Sequence, residues 1–112
     1  MTQDRLFELH AEVCKTLSNP WRLRIIDALR EGERSVGALA ESLGISHSNV
    51  SQHLAVMREK GVVLVRREGA YSYYRLADGK IVKAFELMRE VLLERLSRSA
   101  ELAELLARQA GE

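Results

Sequence analysis

The stretch Gly44-Ile45-Ser46-His47-Ser48-Asn49-Val50-Ser51-Gln52-His53-Leu54 holds a helix stop, a helix start and a two-faced helix. Gly44 closes one helix, since it takes up the left-handed backbone that residues with a Cβ resist. Ser46 caps the next helix, and Ile45 and Val50 stand at the positions of a hydrophobic staple that sets its entry angle. At about 100° per residue, Val50, Leu54 and Met57 share one side, while Ser48, Ser51, Gln52, Ala55 and Glu59 lie opposite or flanking. This helix extends to about Lys60, with Arg58 and Lys60 in its last turn and Gly61 beyond, as the dipole and a left-handed cap favour. Upstream, Ser35 is placed to cap a short helix with apolar positions Val36, Leu39, Ala40 and Leu43. A short helix, a three-residue turn opening on glycine and a second helix make a helix-turn-helix.

The segments 62–67 and 71–76, Val-Val-Leu-Val-Arg-Arg and Tyr-Ser-Tyr-Tyr-Arg-Leu, are rich in β-branched and aromatic residues and flank Glu68-Gly69-Ala70, the pattern of a hairpin. By alternation Tyr74 and Leu76 face the core, and Tyr71 and Tyr73 share the other, partly exposed face. Toward the N-terminus, residues 4–17 put Leu6, Leu9, Val13 and Leu17 at helical spacing. Asn19 then caps a helix that opens on Pro20, runs to about Arg30, buries Leu23, Ile26 and Leu29, and ends at Glu31-Gly32-Glu33. From about 79 to 110 no breaker occurs, and Val82, Phe85, Met88, Leu92, Leu96, Leu102 and Leu106 recur at roughly helical spacing. One continuous helix there would exceed about 40 Å at 1.5 Å per residue, more apolar face than one small core covers. A second copy of the chain is the expected partner. The expected fold is mostly α with a small β-hairpin, a winged helix-turn-helix of four helices, two strands and a last helix, in a single domain over 1–112.

Composition narrows the function. With 46% hydrophobic and 29% charged residues the chain is expected to fold as a globular unit. Net charge is only +1, yet residues 44–76 carry five basic against two acidic side chains, while 77–112 carry six against seven. The basic middle suits phosphates and the balanced, helical end suits protein. One cysteine, no leader-like N-terminus and no run of about eighteen apolar residues point to the cytoplasm and away from a membrane. No nucleophile–base pair, phosphate loop or cofactor motif is present, so an enzyme is not expected, nor a cofactor.

The small polar side chains that open the second helix of the motif let it sink into a major groove about 12 Å wide. The candidate DNA-binding residues are Ser46, His47, Ser48, Asn49, Ser51, Gln52, His53, Arg66, Arg67, Tyr71 and Tyr73. Gln52 is the base reader of choice, since its amide pairs bidentately with adenine; Ser48, Asn49 and Ser51 suit base edges or phosphates. His47 neighbours a phosphate. His53 lies beside the apolar face, so that a packed, hydrogen-bonded histidine and a DNA contact are both open. Arg66 and Arg67 are expected on phosphates. The candidate dimerisation residues are Leu6, Leu9, Val13, Phe85, Met88, Leu92 and Leu96. His10 and Cys14, four apart on the first helix, make the one conceivable metal pair; two ligands are too few without a partner copy, and a cysteine packed at an interface is the simpler reading. The leading function is a regulator that occludes transcription, with a protein-interaction module as the alternative.

Three fragments in order, Leu17-Ser18-Asn19-Pro20-Trp21-Arg22, Ser48-Asn49-Val50-Ser51-Gln52-His53-Leu54, and Arg67-Glu68-Gly69 through Tyr73-Tyr74-Arg75-Leu76, resemble the ArsR/SmtB (arsenical-resistance) family of winged-helix repressors over about residues 13–96. The resemblance implies a homodimer packed through the first and last helices, each protomer placing its fourth helix in a major groove of an inverted-repeat operator. Many members of the family are metal sensors, but their ligand positions are largely not kept in this chain. Where arsenic and cadmium sensors carry Cys-Val-Cys, this chain has Ser35-Val36-Gly37, with Ala40 at a further cysteine position; the positions matching the last-helix ligands of zinc and nickel sensors are Asp78, Lys80, Val91 and Glu94. The hairpin also departs from the family pattern, with Ala70 where arginine is common and Ser72 where an apolar residue is usual.

Overall fold

A computed structural model describes residues 1–111, apart from the side chain of Leu102, so the apolar position expected there lies outside the described residues. In order, the elements are α1 (Gln3–Leu17), α2 (Pro20–Leu29), β1 (Arg34–Ser35), α3 (Val36–Leu43), α4 (His47–Glu59), β2 (Val63–Glu68), β3 (Tyr71–Leu76), α5 (Gly79–Leu96) and α6 (Ala100–Ala110). They form two compact units, residues 1–81 and 82–112.

In the first unit each helix begins where a side chain takes up orphaned amides. Asn19 Oδ1 accepts from Trp21 N at 2.9 Å and Arg22 N at 3.3 Å, Ser35 Oγ accepts from Ala38 N at 3.0 Å, and Ser46 Oγ accepts from Asn49 N at 3.1 Å. The turn between α3 and α4 depends on Gly44, whose φ of 70° and N–H donation to the Ala40 carbonyl at 2.9 Å end α3 within one residue. At the far end of α4, Val62 N donates to Met57 O and Gly61 N to Arg58 O, the paired bonds of a Schellman motif, which turns the chain directly into β2.

The sheet is antiparallel in the order β1-β3-β2, with Val65 opposite Tyr74 and Glu68 opposite Tyr71. The two-residue link Gly69-Ala70 has positive φ at Gly69 only, the sign pattern of a II′ hairpin turn. β1 was not expected from sequence: two residues, Arg34 and Ser35, pair with Tyr74 and Tyr73, too short a run to show alternation.

The core draws on α2, α3, α4 and the strands β2 and β3. Ile25, Leu39, Val50, Leu54, Met57 and Val63 are wholly buried, and Ile26, Leu29, Val62 and Tyr74 nearly so. Tyr74 lies inside and Tyr71 outside, as strand alternation requires. One assignment is corrected: on α2 it is Ile25 that is buried, while Leu23 is 38% exposed. The buried stripe of α2 is therefore 25, 26 and 29, rotated from the one expected, because α1, α3, α4 and β3 all pack on α2 and together decide which side is covered.

The expected single terminal helix is also corrected, into α5 and α6. Ser97 Oγ donates to the Glu94 carbonyl at 2.6 Å and Ser99 Oγ to the Leu96 carbonyl at 2.8 Å, so hydroxyls take carbonyls that a continuing helix would use. Serine side chains compete with helical amides in this way without any glycine or proline. No residue of α5 is buried, and Leu87, Met88, Val91, Leu92 and Leu93 are all exposed.

Leu54→Ala is expected to destabilise the protein by about 2–5 kcal/mol, and Leu23→Ala by less than about 1 kcal/mol. Urea unfolding at fixed protein concentration measures both; equal losses would contradict the observed burial.

Candidate nucleic-acid interface

The N-terminal end of α4 is open to solvent. With Val50, Leu54 and Met57 locked in the core, Ser46, His47, Ser48, Asn49, Ser51 and Gln52 are all exposed. They bring amide and hydroxyl groups, and no acidic residue occupies the first turn to repel a phosphate. His47 lies beside α3: a Cβ built on Gly37 would stand 3.4 Å from its Cε1.

His53 takes the packed option. It is half-buried, and its Nδ1 accepts from Arg22 Nε at 3.2 Å; Arg22 Nη1 also donates to the carbonyl of Thr16 in the last turn of α1, at 3.0 Å. Burial lowers the His53 pKa below the usual histidine value, and the Arg22 charge adds to this.

On the hairpin the structure separates two arginines that look alike in sequence. Arg66 is forked onto Glu33, with Nη2 2.6 Å from Oε1 and Nε 3.3 Å from Oε2; it also pairs with Glu68 and lies 4.7 Å over the Tyr73 ring. Hydrogen bonding from Arg66 holds the Glu33 carboxyl below its ordinary value, and the two carboxylates push the guanidinium of Arg66 upward. Arg67 instead donates to the Ser72 hydroxyl opposite it, at 3.2 Å, and that neutral partner leaves its charge uncompensated. Tyr71 is exposed and Tyr73 half-buried, their rings tilted at 6.5 Å.

Of the apolar candidates for pairing, Leu6, Met88 and Leu92 are exposed, and Leu9, Val13, Phe85 and Leu96 half-buried. His10 and Cys14 are both exposed, so Cys14 is not packed within the protomer. Among the described residues no three His, Cys, Asp or Glu side chains gather as a metal site. Arg22 and Glu33 were missed as participants because their partners lie 31 and 33 residues away. No local pattern marks either one.

The family model described as bacterial regulatory protein, arsR family, matches residues 19–64. The uncharacterized HTH-type transcriptional regulator Rv0081 of Mycobacterium tuberculosis is 43% identical over 109 residues, covering 96% of both chains. This chain belongs to the arsR family. The crystal structure of Rv0081 superposes on it with a TM-score of 0.76 over 82% of this chain and 93% of that one. The solution structure of the homodimeric winged helix-turn-helix DNA-binding domain of Mb0332 from Mycobacterium bovis, 34% identical, gives 0.79 over 89% and 94%. The biofilm growth-associated repressor of Xylella fastidiosa is 46% identical over 70 residues, 62% of this chain and 61% of that one. As an arsR-family protein it is a DNA-binding transcriptional regulator with a winged helix-turn-helix, and not an enzyme. No helix among the described residues is long and apolar enough to cross a membrane.

A lowered folded-state pKa at His53 means that, as pH falls, the unfolded chain gains its proton first. The associated stability is complete above the unfolded value of about 6.5 and is lost as pH falls through the folded value. The thermal midpoint is expected to drop between about pH 7 and 5, and to drop less in His53→Asn. An identical pH dependence in both proteins would contradict this.

Proposed function

We propose that the protein is a cytoplasmic homodimeric repressor that sets two copies of α4 into successive major grooves of an inverted-repeat operator and so occludes transcription. The observation that carries this reading is the division of α4 into one wholly buried face and an exposed polar N-terminal end. Gln52 reads a base edge, Ser48, Asn49 and Ser51 contact bases or backbone, and Ser46, His47 and Arg67 sit against phosphates. Arg66, neutralised by Glu33 and Glu68, braces the wing with Tyr73, and Tyr71 lies beside the backbone. The second copy covers α1 and α5. Its support is the exposed run Leu87, Met88, Val91, Leu92 and Leu93, together with the homodimeric state stated for the Mb0332 domain.

Selection from random duplexes is expected to return an inverted repeat with half-sites about 10 base pairs apart, centre to centre. On that operator Gln52→Ala should lose about 1–3 kcal/mol of discrimination, whereas Arg67→Ala should weaken all duplexes alike and flatten the salt dependence. Arg66→Ala should flatten it far less. A monomer at working concentration, or equal losses on every sequence for Gln52→Ala, would overturn the reading.

A further inference from the structure

We propose that Arg22 is a positioning residue for DNA recognition: through His53 it fixes the pose of α4 against α1, and so couples the helix that reads DNA to a helix at the dimer interface. The inference rests on the repressor reading above.

The guanidinium makes two bonds that diverge. Nε–H goes to His53 Nδ1 on α4 and Nη1–H to the Thr16 carbonyl at the end of α1, while the backbone N–H of Arg22 is itself held by Asn19 Oδ1 at the start of α2. Three helices therefore meet on one side chain. The α1 anchor is firm, because Thr16 is buried and its hydroxyl donates to the Glu12 carbonyl at 3.0 Å. The α4 anchor lies one residue beyond Gln52, so a rotation or slide of α4 that moves Gln52 also breaks the bond at His53.

The bond also specifies the imidazole. An acceptor Nδ1 requires a neutral ring with its proton on Nε2. Apolar packing alone restrains a helix against tilting away, but resists rotation about the axis and sliding along it less well. A charged donor held at two acceptors supplies that directional restraint. Lysine cannot replace it, since one ammonium lacks the separate Nε–H and Nη–H groups that serve the two acceptors.

The test compares affinity for the selected operator with affinity for a random duplex, using folded full-length protein. Arg22→Lys keeps the charge, and is expected to lower the ratio of operator to random affinity about tenfold while random binding and its salt slope stay unchanged. His53→Ala is expected to do the same, and the double variant to lose no more than either alone. His53→Asn, whose Oδ1 stands near the place of Nδ1, is expected to restore most of the ratio. Long-range nitrogen NMR of the wild type should show Nδ1 unprotonated and Nε2 protonated at neutral pH, a readout that needs no variant to fold. Asn as damaging as Ala at position 53 would make His53 a direct DNA contact and overturn the proposal, as would fully additive losses or a protonated Nδ1. Gln52→Ala separates this from the repressor reading: a ratio unmoved by it removes that reading. A ratio moved by Gln52→Ala but not by Arg22→Lys removes only the role of Arg22.

Discussion

Burial of Val50, Leu54 and Met57 on one side of α4 is the constraint on which the rest of the molecule depends. Full burial of side chains of this kind is worth about 1.5–3 kcal/mol each, whereas a 13-residue helix in water is marginal by itself. The core side comes from α2, α3, β2 and β3, through Ile25, Leu39, Val63 and Tyr74. Once that face is committed, the opposite side of the helix is turned to solvent, and Ser48 and Gln52 look outward. The outward residues of α4 are thus placed by packing: Ser48 and Gln52 are exposed, while Val50, Leu54 and Met57, which orient them, are buried.

Charge acts at a finer grain. The excess of basic residues in the middle of the chain is not a uniform positive surface, because Glu33 and Glu68 cancel Arg66 and leave Arg67 as the unneutralised cation of β2. These pairs are exposed and contribute little to stability. Their effect is to shape the wing: Arg66 joins the loop before β1 to β2 and lies over Tyr73 of β3. Arg22 does the corresponding task inside, where partial burial makes direction matter more than charge.

The C-terminal unit follows a different logic. α5 has apolar residues on more sides than one protomer covers, and the serine hydroxyls that end it start α6 without a conventional breaker. An apolar surface of this kind calls for a protein partner, and the similar Mb0332 domain is described as homodimeric.

Caps, turns and faces were legible in the sequence because they are set within a few residues. Asn19 with Pro20, Ser35, Gly44 and Ser46 mark their helix ends by local hydrogen bonds and φ values, and the periods of 3.6 and 2 place Leu54 and Tyr74 inside. The fold class and the outward residues of α4 follow from these alone. Other features are pairings between distant segments, and only the tertiary structure decided them: the two-residue β1 on β3, the exchange of Leu23 for Ile25 in the core, Glu33 on Arg66, and Arg22 between Thr16 and His53. A local pattern reports what the backbone does over a few residues. It carries no record of which side chain arrives from thirty residues away.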